Sequence, residues 1–237
     1  MKKLLFVLII VLLYSNSQAQ LFNKFSIAAG PVFGWNIPSF TDLNSELSKA
    51  GIEGFGSEGV FATGGGGFID VPVVKGLRLG GYGYGYSSSK TTEFTNTSRI
   101  AEFSYSGGFV SVEYSRKIGK SFDWTIGGMA GIGSSNLKLV NFSNVLKEWN
   151  INNFTGDTAV NGNIVSLKST SFSFVPQAGL GFQAAKFLYF KLNAGYLFTV
   201  NSKWKMEDII EVNNFPSGIK ADGFMVNLGL YIGLFVD

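Results

Sequence analysis

The chain contains neither cysteine nor histidine. The first absence excludes disulfides and thiolate chemistry. Together the two remove the usual zinc ligands, the Ser-His and Cys-His nucleophile pairs and the commonest general base. Charge is also scarce, at 15% of 237 residues, where soluble domains average about 25%. Past residue 20 no stretch approaches the ~20 consecutive apolar residues of a spanning helix. If the mature chain crosses a bilayer, it does so as strands.

Apolar residues and glycine are abundant instead: 46% of the chain is hydrophobic, 15% is aromatic and 31 residues are glycine. That composition is the reverse of a disordered chain, and the length suits one all-β barrel. Residues 1–20 read as an export signal, with Lys2 and Lys3 at the start, a ten-residue apolar run over 4–13, and Ser17-Gln18-Ala19 as a small-x-small cleavage site. A retained N-terminal anchor is the alternative. The expected organisation is a signal peptide over 1–19 and one barrel over 20–237. Without Lys2 and Lys3, 17 basic residues face 16 acidic ones, a net +1. So even a balance argues against a nucleic-acid partner.

The strongest pattern lies at the C-terminal end. Phe224, Val226, Leu228, Leu230, Ile232 and Leu234 alternate with Met225, Asn227, Gly229, Tyr231, Gly233 and Phe235, which is the period of a strand with one greasy side. Left as a free edge it would aggregate, so it is expected to pair with the strand before it and with the first strand of the mature chain. That first strand spans 24–35, with Phe25, Ile27, Ala29, Phe33 and Trp35 on one face. Pro31 within it demands a bulge or a locally unpaired site. Residues 36–58 form a long connection in which 41–51 read as a short helix. Thr41 and Asp42 are its expected caps, Gly51 ends it, and Leu43, Leu47 and Ala50 share a face. It either packs on the barrel rim or plugs the lumen.

Further strands are expected over 59–71, 77–87, 99–114, 122–139, 165–183 and 187–200. The run Gly64-Gly65-Gly66-Gly67 lacks the strand, spacing and helix of a phosphate loop and marks a bend, a bulge or close approach of another backbone. Arg78, Tyr82, Tyr84 and Tyr86 share a face, as a lumen ladder or as part of an aromatic girdle. Residues 88–98 read as polar loop. The apolar phase reverses between Ala101, Phe103, Tyr105 and Val110, Val112, Tyr114, which a bulge at Gly107-Gly108 would explain. Asp123 and Lys191 fall on the polar faces of their strands, and Lys191 is tolerable in mid-strand only if that face is wet or paired. Trp149, Phe154 and Phe142 are the large aromatics of a loop spanning 141–163, and 201–221 is the last long loop.

The count is eight antiparallel strands with alternating long and short connections, or ten if a long loop hides a hairpin. An export signal, an even strand number and alternating loops describe an all-β, up-and-down transmembrane barrel. The Ser17–Gln20 signal end, the glycine-aromatic strand over 79–86 and the terminal strand resemble the small outer-membrane β-barrel proteins of Gram-negative bacteria, the OmpX/OmpA-like and PorT-like barrels. The resemblance implies a structural or surface-interaction barrel displaying four long loops outside the cell. Its expected partners are outer-membrane lipid, the barrel-assembly machinery and an unidentified extracellular ligand, with the barrel itself monomeric. Such barrels usually end on an aromatic residue, whereas Val236 and Asp237 follow Phe235 here.

Other functions stay open at this point. The inward glycines leave room for a narrow pore or a small-ligand pocket, and a soluble lipocalin-like barrel would turn the apolar faces inward. The residues expected to face the lumen or a ligand are Arg78, Tyr82, Tyr84, Tyr86, Asp123, Lys191, Asn193, Asn227 and Tyr231. Enzymatic chemistry would rest on carboxylates alone, Asp123 with Glu113 or Asp70, and is not expected; no catalytic residue, cofactor or metal site is assigned.

Overall fold

The computed structural model describes residues 25–143 and 162–236. The signal segment and the loop aromatics Trp149 and Phe154 lie outside the described residues. Strands β1 (Phe25–Pro38), β2 (Val60–Asp70), β3 (Leu77–Glu93), β4 (Thr97–Ile118), β5 (Phe122–Ser143), β6 (Gly162–Ala185) and β7 (Leu188–Asn201) follow in order. Two short strands, β8 (Lys205–Met206) and β9 (Ile210–Glu211), precede the terminal β10 (Gly223–Val236), and a single helix, α1 (Thr41–Lys49), lies between β1 and β2.

Each strand of the ring pairs antiparallel with its neighbour in sequence, and β10 closes it by pairing with β7 on one side and β1 on the other. The ring has eight strands. The last long connection does hide a hairpin, β8–β9, but it pairs with β6 at Leu167 and Lys168 beyond the end of β7 and adds no strand to the barrel. Glu207 (φ 51°) and Asp208 (φ 60°) turn it through left-handed backbone. Pairing of β1 with β10 lapses at Gly30 and Pro31 without a change of register, as a proline without an N–H requires.

The outer faces are apolar. Val110, Ile126, Ile132, Phe172, Leu180, Leu228 and Ile232 are among the exposed residues, while their strand neighbours Ser111, Thr125, Ser171, Ser173 and Asn227 are buried inside. This inversion suits a hydrocarbon solvent, in which closure satisfies every backbone N–H and C=O.

The β4 phase change has a different cause from the expected bulge. Registers of β4 with both β3 and β5 run unbroken through Gly107 and Gly108. Ala101, Phe103 and Tyr105 face inward, while Val110, Val112 and Tyr114 face outward along the same regular strand. The environment switches along the strand: one half is clad in lipid, and the other encloses an ordinary apolar core. Residues 88–98 are likewise not a loop. β3 and β4 stay paired to Glu93↔Ser98, because a polar sequence can continue a ladder where both faces meet water, leaving the four residues 94–97 to make the turn.

Helix α1 also departs from expectation at its ends. Phe40 is the N-cap residue and no side chain caps the helix, so neither Thr41 nor Asp42 plays that part. Ala50 is exposed, while Leu43 and Leu47 are buried. These leucines belong to an apolar cluster with Ile52, Phe55, Phe103, Leu137, Leu167, Leu197 and Trp204, and Phe40 stacks edge-on against Phe103 at 5.5 Å. The helix roofs the barrel at the long-connection end. Asn44 fastens it, donating to the Phe55 carbonyl (2.9 Å) and accepting from its N–H (2.7 Å).

Replacing Leu228 by Arg puts a charge on the lipid face and is expected to cost about 2–4 kcal/mol. Asn227→Ser, on the inner face, is expected to be much milder. Urea unfolding of vesicle-reconstituted protein, followed by heat-modifiable mobility, reads both; equal tolerance would contradict the face assignment.

Candidate functional site

The interior holds every one of Arg78, Tyr82, Tyr84, Tyr86, Asp123, Lys191, Asn193, Asn227 and Tyr231, each no more than 8% exposed. Strand alternation puts them there, since each shares its parity with the buried face of its strand. The tyrosines of β3 therefore form a lumen ladder and no girdle. The residues sort into layers.

Nearest the short-turn end, Arg78 is the hub of an ionic network. Its Nε donates to Asp70 Oδ1 at 2.8 Å and its Nη1 to the Tyr189 hydroxyl at 3.0 Å. Tyr189 in turn donates to the Asp123 carboxylate at 2.7 Å, and Arg78 Nη2 lies 3.9 Å from Asp123 Oδ2. The guanidinium also sits 4.1 Å from the centre of the Phe68 ring, a cation–π contact of the kind strengthened by desolvation. Lys191 forms a separate pair with Glu113 at 2.5 Å, the two being 0% and 1% exposed. Gln177 Nε2 donates to the other Glu113 oxygen at 2.7 Å. Isolated charges in such an interior would be prohibitive, so complete pairing is what allows them to be there.

Above these pairs the filling is aromatic. Tyr84 stacks on Phe109 with centroids 5.2 Å apart, its hydroxyl reaches the Met225 sulfur at 3.6 Å, and Tyr105 bonds Ser173 at 2.8 Å. Many of the inward glycines are seats for these rings. A Cβ on Gly66 would strike Tyr82, one on Gly133 would strike Tyr105, one on Gly181 would strike Tyr189, and one on Gly229 would strike Tyr231. The room that glycine creates is thus used by neighbouring tyrosines. Between Tyr82, Tyr84, Gln177, Asn193 and Asn227 there remains a cavity of about 10 Å³, room for at most about one water.

Tyr189, Glu113 and Gln177 complete the network without having been singled out as lumen residues. Their signal was present, because Tyr189 shares strand parity with Lys191, and Gln177 and Glu113 occupy polar-face positions of β6 and β4. What the sequence could not show is which carboxylate meets which cation across the lumen. The carboxylates weighed for catalysis are all engaged: Asp70 and Asp123 by Arg78, and Glu113 by Lys191 and Gln177. No group of metal-ligating side chains occurs among the described residues.

At the opposite end several surface charges are paired, as in Lys203–Glu211 at 2.6 Å. Their mutual hydrogen bond raises the lysine pKa and lowers that of the glutamate.

A closed eight-stranded antiparallel ring with an apolar exterior and a packed polar interior is the architecture of the small outer-membrane β-barrels. No family model and no curated protein matches the chain. Among solved structures it is similar to Ail, the attachment invasion locus protein of Yersinia pestis, crystallised with the heparin analogue sucrose octasulfate. That alignment covers 90% of this chain and 97% of Ail at 12% identity, with a TM-score of 0.44. Neisserial surface protein A is similar over 89% of this chain and 96% of its own, at 10% identity and a TM-score of 0.46. The Escherichia coli outer membrane protease OmpT aligns at 8% identity and a TM-score of 0.24, covering 90% of this chain and 95% of its own.

Removing one member of the deepest pair, as in Lys191→Met, strands Glu113 and is expected to cost about 3–5 kcal/mol. The double replacement Lys191→Met with Glu113→Leu is expected to recover most of that loss in the same unfolding assay. A single variant as stable as the double would show that the pair is not coupled.

Proposed function

We propose that the chain is exported by residues 1–19, which are then removed, and assembles from residue 20 onward as a monomeric, sealed barrel in the outer membrane. Its role is structural or surface-interacting, with the connections β1–β2, β3–β4, β5–β6 and β7–β10 held outside the cell. The supporting observation is the filled interior. Paired charges, tyrosine rings and the α1 roof succeed one another along the lumen, and the gap left between Tyr82, Tyr84, Gln177, Asn193 and Asn227 is about 10 Å³.

That filling speaks against the narrow pore and against a ligand pocket inside the barrel. The lipocalin-like alternative needs apolar residues inside and polar ones outside, the reverse of the arrangement around Ser111, Ser173 and Asn227. The proposed role is not enzymatic, since the buried carboxylates already serve as partners of Arg78 and Lys191. Any extracellular ligand would meet the surface of the long connections. The proposal includes delivery by the barrel-assembly machinery; the Phe235 ring lies 5.5 Å from Tyr189 and 6.4 Å from Phe68, on the inward side of the terminal strand.

Planar-bilayer recording of the purified barrel is expected to show no unitary conductance steps, and reproducible steps would overturn the sealed reading. In intact cells an impermeant amine reagent is expected to label Lys49 and Lys203 at the long-connection end. Lys75 and Lys186 at the short-turn end should label only after permeabilisation, and the reverse pattern would invert the assigned orientation.

A further inference from the structure

The two ends of the barrel carry different surfaces. At the long-connection end Lys49, Lys90, Lys168 and Lys203 sit against Glu46, Glu53, Asp208 and Glu211 at 2.6, 3.8, 2.9 and 2.6 Å. The short turns over 71–76, 116–121 and 184–187 hold Lys75, Arg116, Lys117, Lys120 and Lys186 and no acid at all. The nearest carboxylates, Asp70 and Asp123, are turned inward to Arg78. Lys75, Arg116, Lys120 and Lys186 are exposed, and none of them has an ion-pair partner among the described residues.

The same turns also expose large apolar side chains: Val73 at 75%, Ile118 at 55% and Phe187 at 59%. Just inside them on the outer wall lie two aromatic pairs, Tyr114 with Trp124 at 5.8 Å and Phe122 with Phe182 at 4.8 Å. Arg116 is registered directly opposite Trp124 and shares the outward parity of Tyr114. Aromatic rings of this kind settle at the headgroup level of a bilayer. Cations one step beyond them reach phosphate while their stems stay in the apolar zone.

We propose that this rim is a binding surface for anionic phospholipid. Phosphodiester headgroups of the leaflet on the short-turn side meet Lys75, Arg116, Lys120 and Lys186, and Val73, Ile118 and Phe187 enter the acyl boundary between them. The apolar residues select a lipid surface over a soluble polyanion, which would gain nothing from them. The inference rests on the membrane-barrel reading and adds to it a chemical preference at one end.

The test uses the full mature chain in nanodiscs of equimolar phosphatidylglycerol and phosphatidylcholine, with retained lipids counted by native mass spectrometry after mild detergent release. Phosphatidylglycerol should be retained preferentially. Each charge neutralised in the series K75Q, R116Q, K120Q and K186Q is expected to cut that preference roughly fivefold. Equal retention of the two lipids by the wild type, or an unchanged preference in the quadruple variant, would overturn the proposal. So would displacement of phosphatidylglycerol by soluble polyphosphate in an I118S/F187S variant as readily as in the wild type, which would mark a polyanion site. Heat-modifiable mobility in pure phosphatidylcholine checks the barrel independently. Its absence in every lipid would overturn the barrel reading and this inference with it.

Discussion

A strand in hydrocarbon has nowhere to place its backbone hydrogen bonds except on another strand, and that constraint governs this molecule. Closure of β10 on β1 is what discharges it, from Phe25↔Val236 to Pro38↔Gly223, because it leaves the ring without an edge. Once closure is fixed, the inside and outside of every strand are fixed as well. The faces of eight strands then have to satisfy two solvents at once, lipid outside and a narrow interior shared by all of them. Local departures are confined to places where the ladder has slack. Pro31 leaves a gap in one pairing, the β6–β7 pairing lapses likewise at Val175 and Pro176, and the irregularity between Gln183 and Ala185 sits beside the β6–β7 turn.

Closure in turn creates the packing problem of the lumen. Eight strands leave space only for side chains, and those that fill it range from paired charges near the short turns through tyrosine rings to an apolar core beneath α1. Charges in that space are stable only in complete sets. Arg78 accordingly gathers Asp70, Tyr189 and Asp123, while Lys191 takes Glu113. Glycine solves the remaining steric conflict: a tyrosine ring lies flat across the lumen wall only where its neighbour has no Cβ, as at Gly66 beneath Tyr82 and Gly229 beneath Tyr231. The glycine excess and the aromatic excess of the composition are therefore one feature.

Much of this was legible in residue order, because a period of two is a direct record of which face a side chain takes. The opposed faces of Leu228 and Asn227 and of Leu192 and Lys191 follow from parity, and the pairing of the terminal strand from the need to cover an apolar edge. Two kinds of information were not there. The first is where one environment gives way to another along a strand: regular alternation turns Phe103 in and Val110 out, and only the height of the bilayer explains why both are apolar. A phase change read as a bulge was in fact a change of solvent. The second is partnership across the lumen, since Arg78 and Tyr189 are 111 positions apart and nothing in either strand specifies the other.

The boundary between those environments also divides the molecule functionally. On the long-connection side of Tyr105, the barrel wall folds like a water-soluble protein, with Leu43, Leu47, Phe55, Phe103 and Trp204 sealed beneath a helix and ion pairs spanning the loops. On the other side it is built for lipid, with bare cations beside aromatic rings at the short-turn rim. The packed lumen lies between the two and stiffens the ring. On the proposed reading, that rigidity gives each end a fixed height relative to the bilayer. A rim that grips one leaflet chemically would hold the roofed end at a constant distance above the opposite surface, which is the mechanical requirement for presenting loops to whatever lies outside.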